Sequence, residues 1–142
     1  LFAEAPSLGL ELDVVACGAA LSACERGRRW AQALWLLAES SRSRVEQNAI
    51  TYGAAISACE KCRQWERALG ALRQMEEREV PPNEITYNSA ISACEKTQEW
   101  TQALRLLLAM EERRVAPGLI TYNAVASACE KGQQWELALG LL

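Results

Sequence analysis

A fixed 35-residue period runs through the chain and decides what it can fold into. Cys24, Cys59, Cys94 and Cys129 stand 35 apart, as do Trp30, Trp65, Trp100 and Trp135, and the pairs Ala33-Leu34, Ala68-Leu69, Ala103-Leu104 and Ala138-Leu139. Around these columns nearly the same text recurs: "CGAALSACERGRRW", "ITYGAAISACEKCRQW", "ITYNSAISACEKTQEW" and "ITYNAVASACEKGQQW". Repetition at this step marks supersecondary units that bury their apolar faces against one another instead of closing one globular core. The chain divides into 1–13, the tail of a preceding unit; 14–48, 49–83 and 84–118, three whole units; and 119–142, a partial fourth. It opens on Leu1 and stops inside a unit, and so reads as part of a longer array.

Each unit predicts two helices. Residues 50–61 and 64–78 lack proline and loop signals, whereas "EVPPN" at 79–83 is a breaker cluster. At about 100° per residue, Tyr52, Ala55, Ile56 and Cys59 share one side of the first helix. Trp65, Ala68, Leu69, Leu72 and Met75 form the stripe of the second, where the small Ala68 allows close helix approach. The same parsing predicts helices near 14–27, 30–42, 85–96, 99–113, 120–131 and 134–142. The linker "AESSRSRVEQN" differs in composition but not in length, so it is a variant turn within the array. The fold class is all-α: an α-solenoid of stacked helix-turn-helix hairpins.

The opposite side of the first helix repeats a second formula. Ile50, Gly53, Ser57 and Lys61 fall within roughly 80° of arc. Their equivalents are Val15, Gly18, Ser22 and Arg26; Ile85, Asn88, Ser92 and Lys96; and Ile120, Asn123, Ser127 and Lys131. Stacking turns this into parallel rows, with Arg26, Lys61, Lys96 and Lys131 as a cation ladder at one edge. Those cations also suit the helix C-terminal dipole, and Glu25, Glu60, Glu95 and Glu130 beside them in the chain weaken their field. An aliphatic residue at one outward position in every unit implies a surface for something apolar or flat.

Composition removes other classes. No apolar run approaches the roughly 20 residues that span a bilayer, so no membrane partner is expected. The formal net charge of -3 argues mildly against nucleic acid, whose binders carry a basic surplus. Four of the six cysteines occupy one repeated slot, a unit apart, and cannot all pair. Cys59 and Cys62 form a lone C-x-x-C without a second pair, and the chain has no histidine, so neither a metal nor another cofactor is expected. Small buried thiols are the default.

These motifs resemble the pentatricopeptide repeat family. "TYN" opens the first helix (Thr86-Tyr87-Asn88, Thr121-Tyr122-Asn123), "EK" closes it, "A-L" lies in the second helix with "M-E-E" near its end, and Pro82 or Pro117 sits in the turn. The likeness spans the chain. It departs in the tryptophan column, where the family commonly has leucine, in a displaced or missing glycine between the helices, and in Ala16-Cys17 for Thr-Tyr. The resemblance implies a right-handed solenoid that binds single-stranded RNA, about one nucleotide per repeat, in a chloroplast or mitochondrion. It also implies base-reading pairs: Gly18 with Asn48, Gly53 with Asn83, and Asn88 with Gly118, with Asn123 and Asp13 lacking partners. Val15, Ile50, Ile85 and Ile120 become base-packing residues, and the cation ladder becomes the phosphate contact. Glycine offers no side chain to a base, so Gly18, Gly53 and Gly118 each remove half of a pair. Asn48, Asn83 and Asp13 also fit as turn or N-cap residues.

Two other functions compete. A tetratricopeptide-like scaffold that grips peptides or protein partners suits the acidic pI, but such units step by 34 and place their tryptophan early in the first helix. An enzyme of the deaminase type needs H-x-E with a downstream C-x-x-C around zinc, and that pattern is absent. No small-molecule substrate is expected.

Overall fold

The computed structural model describes residues 14–42, 48–134, 136 and 140, with side chains for 18–39 and for the described residues from 48 onward. The expected tail at 1–13 with Asp13, residues 43–47 of the variant turn, and all but three residues of the helix expected at 134–142 lie outside that set. The described chain forms α1 (Val14–Arg26), α2 (Trp30–Arg42), α3 (Ala49–Lys61), α4 (Trp65–Glu77), α5 (Glu84–Lys96), α6 (Trp100–Glu112) and α7 (Leu119–Lys131). None is long and apolar enough to cross a membrane.

Local chemistry sets both ends of these helices. At the start of α3, Asn48 Oδ1 accepts from the Ile50 and Thr51 N–H groups, while Thr51 Oγ1 accepts from the Asn48 N–H. At α5 the same reciprocal cap joins Asn83 and Thr86. These bonds satisfy N–H groups that a helix start leaves orphaned. They also explain why Thr51, Thr86 and Thr121 are buried despite their hydroxyls. First helices end in a 6→1 bond onto the cysteine column: Arg29 N–H to Cys24 O at 2.8 Å, Gln64 to Cys59 at 2.8 Å, Glu99 to Cys94 at 2.8 Å and Gln134 to Cys129 at 2.7 Å. The residue before each donor is left-handed: Arg28, Arg63, Gln98 and Gln133, with φ from 55° to 62°. The second helices close alike, Val80 N–H reaching Met75 O and Val115 N–H reaching Met110 O, and both valines pack against the core.

The helices form two layers. α1, α3, α5 and α7 pack in succession, and α2, α4 and α6 each lie against their own first helix and the next one. Tyr52, Ala55, Ile56 and Cys59 are completely buried, as are Tyr87, Ala90, Ile91 and Cys94. The second stripe needs correction. Ala68, Leu72 and Met75 are buried, but Trp65 and Leu69 are half-buried, as are Trp30 and Trp100. The tryptophans lie at the seam between units. A Cβ on Gly132 would come within 2.2 Å of Trp100 Cδ1, so glycine lets that ring lie against the following turn. The Arg67 guanidinium lies 5.5 Å from the centre of the Trp30 ring. Gly132 is thus a packing residue, one position before the left-handed Gln133.

Candidate functional site

Once Tyr52, Ile56 and their equivalents are buried, a 3.6-residue helix must present Ile50, Gly53, Ser57 and Lys61 outward. Ile50 is 75% exposed, Ile85 70% and Ile120 71%, values more usual for lysine than for isoleucine. Val15 lies in α1, with its side chain outside the described set. Between the first two isoleucines a cleft of about 260 Å³ opens where α3 meets its neighbours. Ile50 and Ile85 line it together with Gly53 and Asn83, and Ser22, Glu25 and Ser57 also border it. The pair Gly53 and Asn83 and both of its flanking isoleucines therefore meet in one concavity.

A buried threonine lies between the two members of the second and third pairs. Thr86, whose Oγ1 is bonded to the backbone of Asn83, turns its methyl toward Gly53, where an added Cβ would make an ordinary 3.7 Å contact with Thr86 Cγ2. One unit on, Thr121 Oγ1 accepts from the Gly118 N–H and donates to Asn88 Oδ1, tying Asn88 to Gly118. A Cβ at Gly118 would strike the Glu84 carboxylate at 2.4 Å, a mobile side-chain end. At Gly18 an added Cβ would meet nothing within 4 Å. Asn123 is exposed and has no side-chain partner among the described residues. Asn48, Asn83 and Asn88 each accept a bond inside the protein through Oδ1, and their NH2 groups donate to no protein group among the described residues.

The cation row is bonded across units. Lys61 Nζ lies 3.1 Å from Glu25 Oε1, which also accepts from Ser57 Oγ at 2.9 Å. Lys96 lies 2.9 Å from Glu60, which accepts from Ser92 at 2.8 Å, and Lys131 and Ser127 share Glu95 in the same way. Burial pushes the Glu95 carboxyl up, but bonds from Lys131 and Ser127 and the charges of Lys131 and Lys96 outweigh it, so its pKa falls below the ordinary value. The glutamate that tempers each lysine therefore comes from the preceding unit and not from the adjacent position. Arg26 is exposed and has no ion pair among the described residues.

The cysteine column faces the core. Burial, with a smaller push from Cys62, raises the Cys59 thiol to about 12, and burial with Glu99 raises Cys94 to about 12. Cys62 instead donates its S–H to the Arg28 carbonyl at 3.0 Å. Among the described residues no group of three or more Cys, Asp or Glu is placed to hold a metal.

Comparison with known proteins follows the same geometry. The crystal structure of the pentatricopeptide repeat protein PPR10 from maize is similar with TM-score 0.83 and 23% identity, over 99% of this chain and 20% of that one. PPR10 in complex with an 18-nucleotide psaJ RNA element gives 0.81 and 30% identity, over 94% of this chain and 20% of that one. The PPR domain of Arabidopsis thaliana protein-only RNase P 1, in complex with tRNA, gives 0.80 and 16%, over 98% of this chain and 75% of that one. The chain thus spans about a fifth of the length of PPR10. No curated protein sequence matches it. The PPR repeat family matches residues 47–96 and 82–131, and the pentatricopeptide repeat domain matches 1–61. Successive matches across the 35-residue step, on a fold shared with solved members, establish that the chain belongs to the pentatricopeptide repeat family.

Proposed function

We propose that the chain is an RNA-binding repeat scaffold that lays a single strand along its first-helix face, about one nucleotide per repeat, in the RNA metabolism of a chloroplast or mitochondrion. The cleft shared by Ile50, Ile85, Gly53 and Asn83 carries this reading. Two aliphatic walls accept the faces of a planar base, and the Asn83 amide offers N–H donors at its rim. Gly18 with Asn48 and Asn88 with Gly118 are the corresponding pairs, and Asn123 opens another. The solved relatives bound to psaJ RNA and to tRNA support a nucleic-acid partner. The organellar setting rests on family membership. The amide N–H groups of these asparagines match base edges that present acceptors, such as pyrimidine carbonyls.

The test combines two changes in the full chain. Replacing Ile50, Ile85 and Ile120 by alanine removes walls and no core, so the thermal midpoint should hold while RNA affinity falls by up to ~1 kcal/mol per site, scaled down from aromatic stacking. Gly53→Asn, in space the cleft already provides, should raise affinity for strands with a pyrimidine in register. Flat affinity across all four bases, with the alanine variant binding as wild type does, would sink the reading in favour of a peptide-binding array.

A further inference from the structure

Charge on this molecule is unevenly placed along the array. The turn joining the helices of the first hairpin reads "ERGRR", and its Arg26, Arg28 and Arg29 are all exposed. The next turn, "EKCRQ", adds the exposed Arg63. The third and fourth, "EKTQE" and "EKGQQ", contain no arginine. None of these four arginines has an ion pair among the described residues, whereas Lys61, Lys96 and Lys131 are each bonded to a glutamate one unit back. A bonded pair acts at a distance as a dipole and an unpaired guanidinium as a full charge, so the attraction for an anion lies in the turns.

The turns are also held in place. Arg28 and Arg63 have φ of 55° and 58°, and the Cys24 and Cys59 carbonyls fix the residue after each. The Cys62 S–H bond to the Arg28 carbonyl joins the second turn to the first, so their arginines share one edge. The lining of the cleft reaches Glu25 in the last turn of α1, from which the first of these turns leads off. We infer that the turns of the first two hairpins form a phosphate-binding edge for the RNA strand, and that this edge, more than the lysine row, supplies the electrostatic part of binding. The inference rests on the RNA-binding reading above. Guanidinium forks match phosphate oxygens, and their confinement to two hairpins means that the strand is gripped at one end of the described array.

The test uses the full chain and a labelled single-stranded oligouridine, with Kd measured across a salt series. The variant R28Q/R29Q/R63Q places glutamine where the chain already carries it at equivalent positions: Gln98 and Gln133 are left-handed as Arg28 and Arg63 are, and Gln64 and Gln134 match Arg29. Its log Kd against log salt slope should fall by about 2, at roughly 0.7 per single-strand contact. R28K/R29K/R63K should retain most of the slope. K61Q/K96Q/K131Q should leave the slope nearly unchanged while lowering the thermal midpoint. An unchanged slope in the arginine-to-glutamine variant, or a drop carried by the lysine variant, overturns the inference and leaves the RNA-binding reading standing. Absence of RNA binding by the wild-type chain overturns both, and tight binding of an acidic peptide in its place identifies the edge as a protein contact.

Discussion

Glu95 holds two residues of the next unit at once, Ser127 and Lys131, and its lowered pKa makes that hold depend on pH. A carboxylate whose folded pKa lies below its unfolded value of about 4.5 contributes stability that is fully present above that value. The contribution is lost as pH falls through the folded pKa. Between pH 6 and pH 3 the urea midpoint of the wild-type chain should therefore fall more steeply than that of Glu95→Gln, which cannot titrate there. Parallel curves would show that the bond contributes nothing to stability. The sequence reveals these charges but mispairs them. Glu60 and Lys61 are adjacent in the chain, yet neighbouring residues on a helix point about 100° apart. The lysine reaches back 36 residues because stacking, and not sequence order, decides what lies beside it. Asn88 is legible as an outward residue, but its bond to Thr121 is not, since that bond too crosses a seam between units.

At the scale of the element, helix positions follow from the periodic pattern because each stripe, cap and breaker is local. The expected 85–96 and 99–113 became Glu84–Lys96 and Trp100–Glu112, within a residue or so at each end. Less legible were Trp30, Trp65 and Trp100, assigned to a buried stripe but found half-buried, with Arg67 over Trp30 and Gly132 against Trp100. The turns also hide a cost. Gln98 adopts φ 62°, a left-handed conformation that costs an L-residue with a Cβ roughly 1–2 kcal/mol. Glycine avoids that strain but loses more entropy on folding. Gln98→Gly should consequently raise stability by about 0.5–1 kcal/mol, read as a higher urea midpoint with an unchanged m-value. A lower midpoint would mean that the Gln98 side chain makes a favourable contact that outweighs the strain.

Across the whole molecule, each first helix packs on the next first helix, and each second helix bridges two units, so stability is a sum of unit and neighbour terms. Glu60→Ala removes the acceptor for both Ser92 and Lys96 at one seam. The loss should be about 1 kcal/mol, since the pair is partly exposed. Hydrogen exchange should show reduced protection in α3 and α5, with α7 little changed. Uniform loss from α1 to α7 would mean that the stack unfolds as one cooperative block.

The side-chain bonds that join successive first helices and their turns share one further property. Ser57 to Glu25 spans 32 residues, Lys61 to Glu25 spans 36, and Cys62 to Arg28 spans 34. That separation is set by the unit and stays constant however many units are stacked. In a globular domain, enlarging the chain lengthens the loops that must close before tertiary contacts form, and folding slows accordingly. Here the entropic cost of closure is the same at every seam. As the chain leaves the ribosome, each hairpin can dock on its finished predecessor without waiting for the remainder, so lengthening the array need not slow its folding.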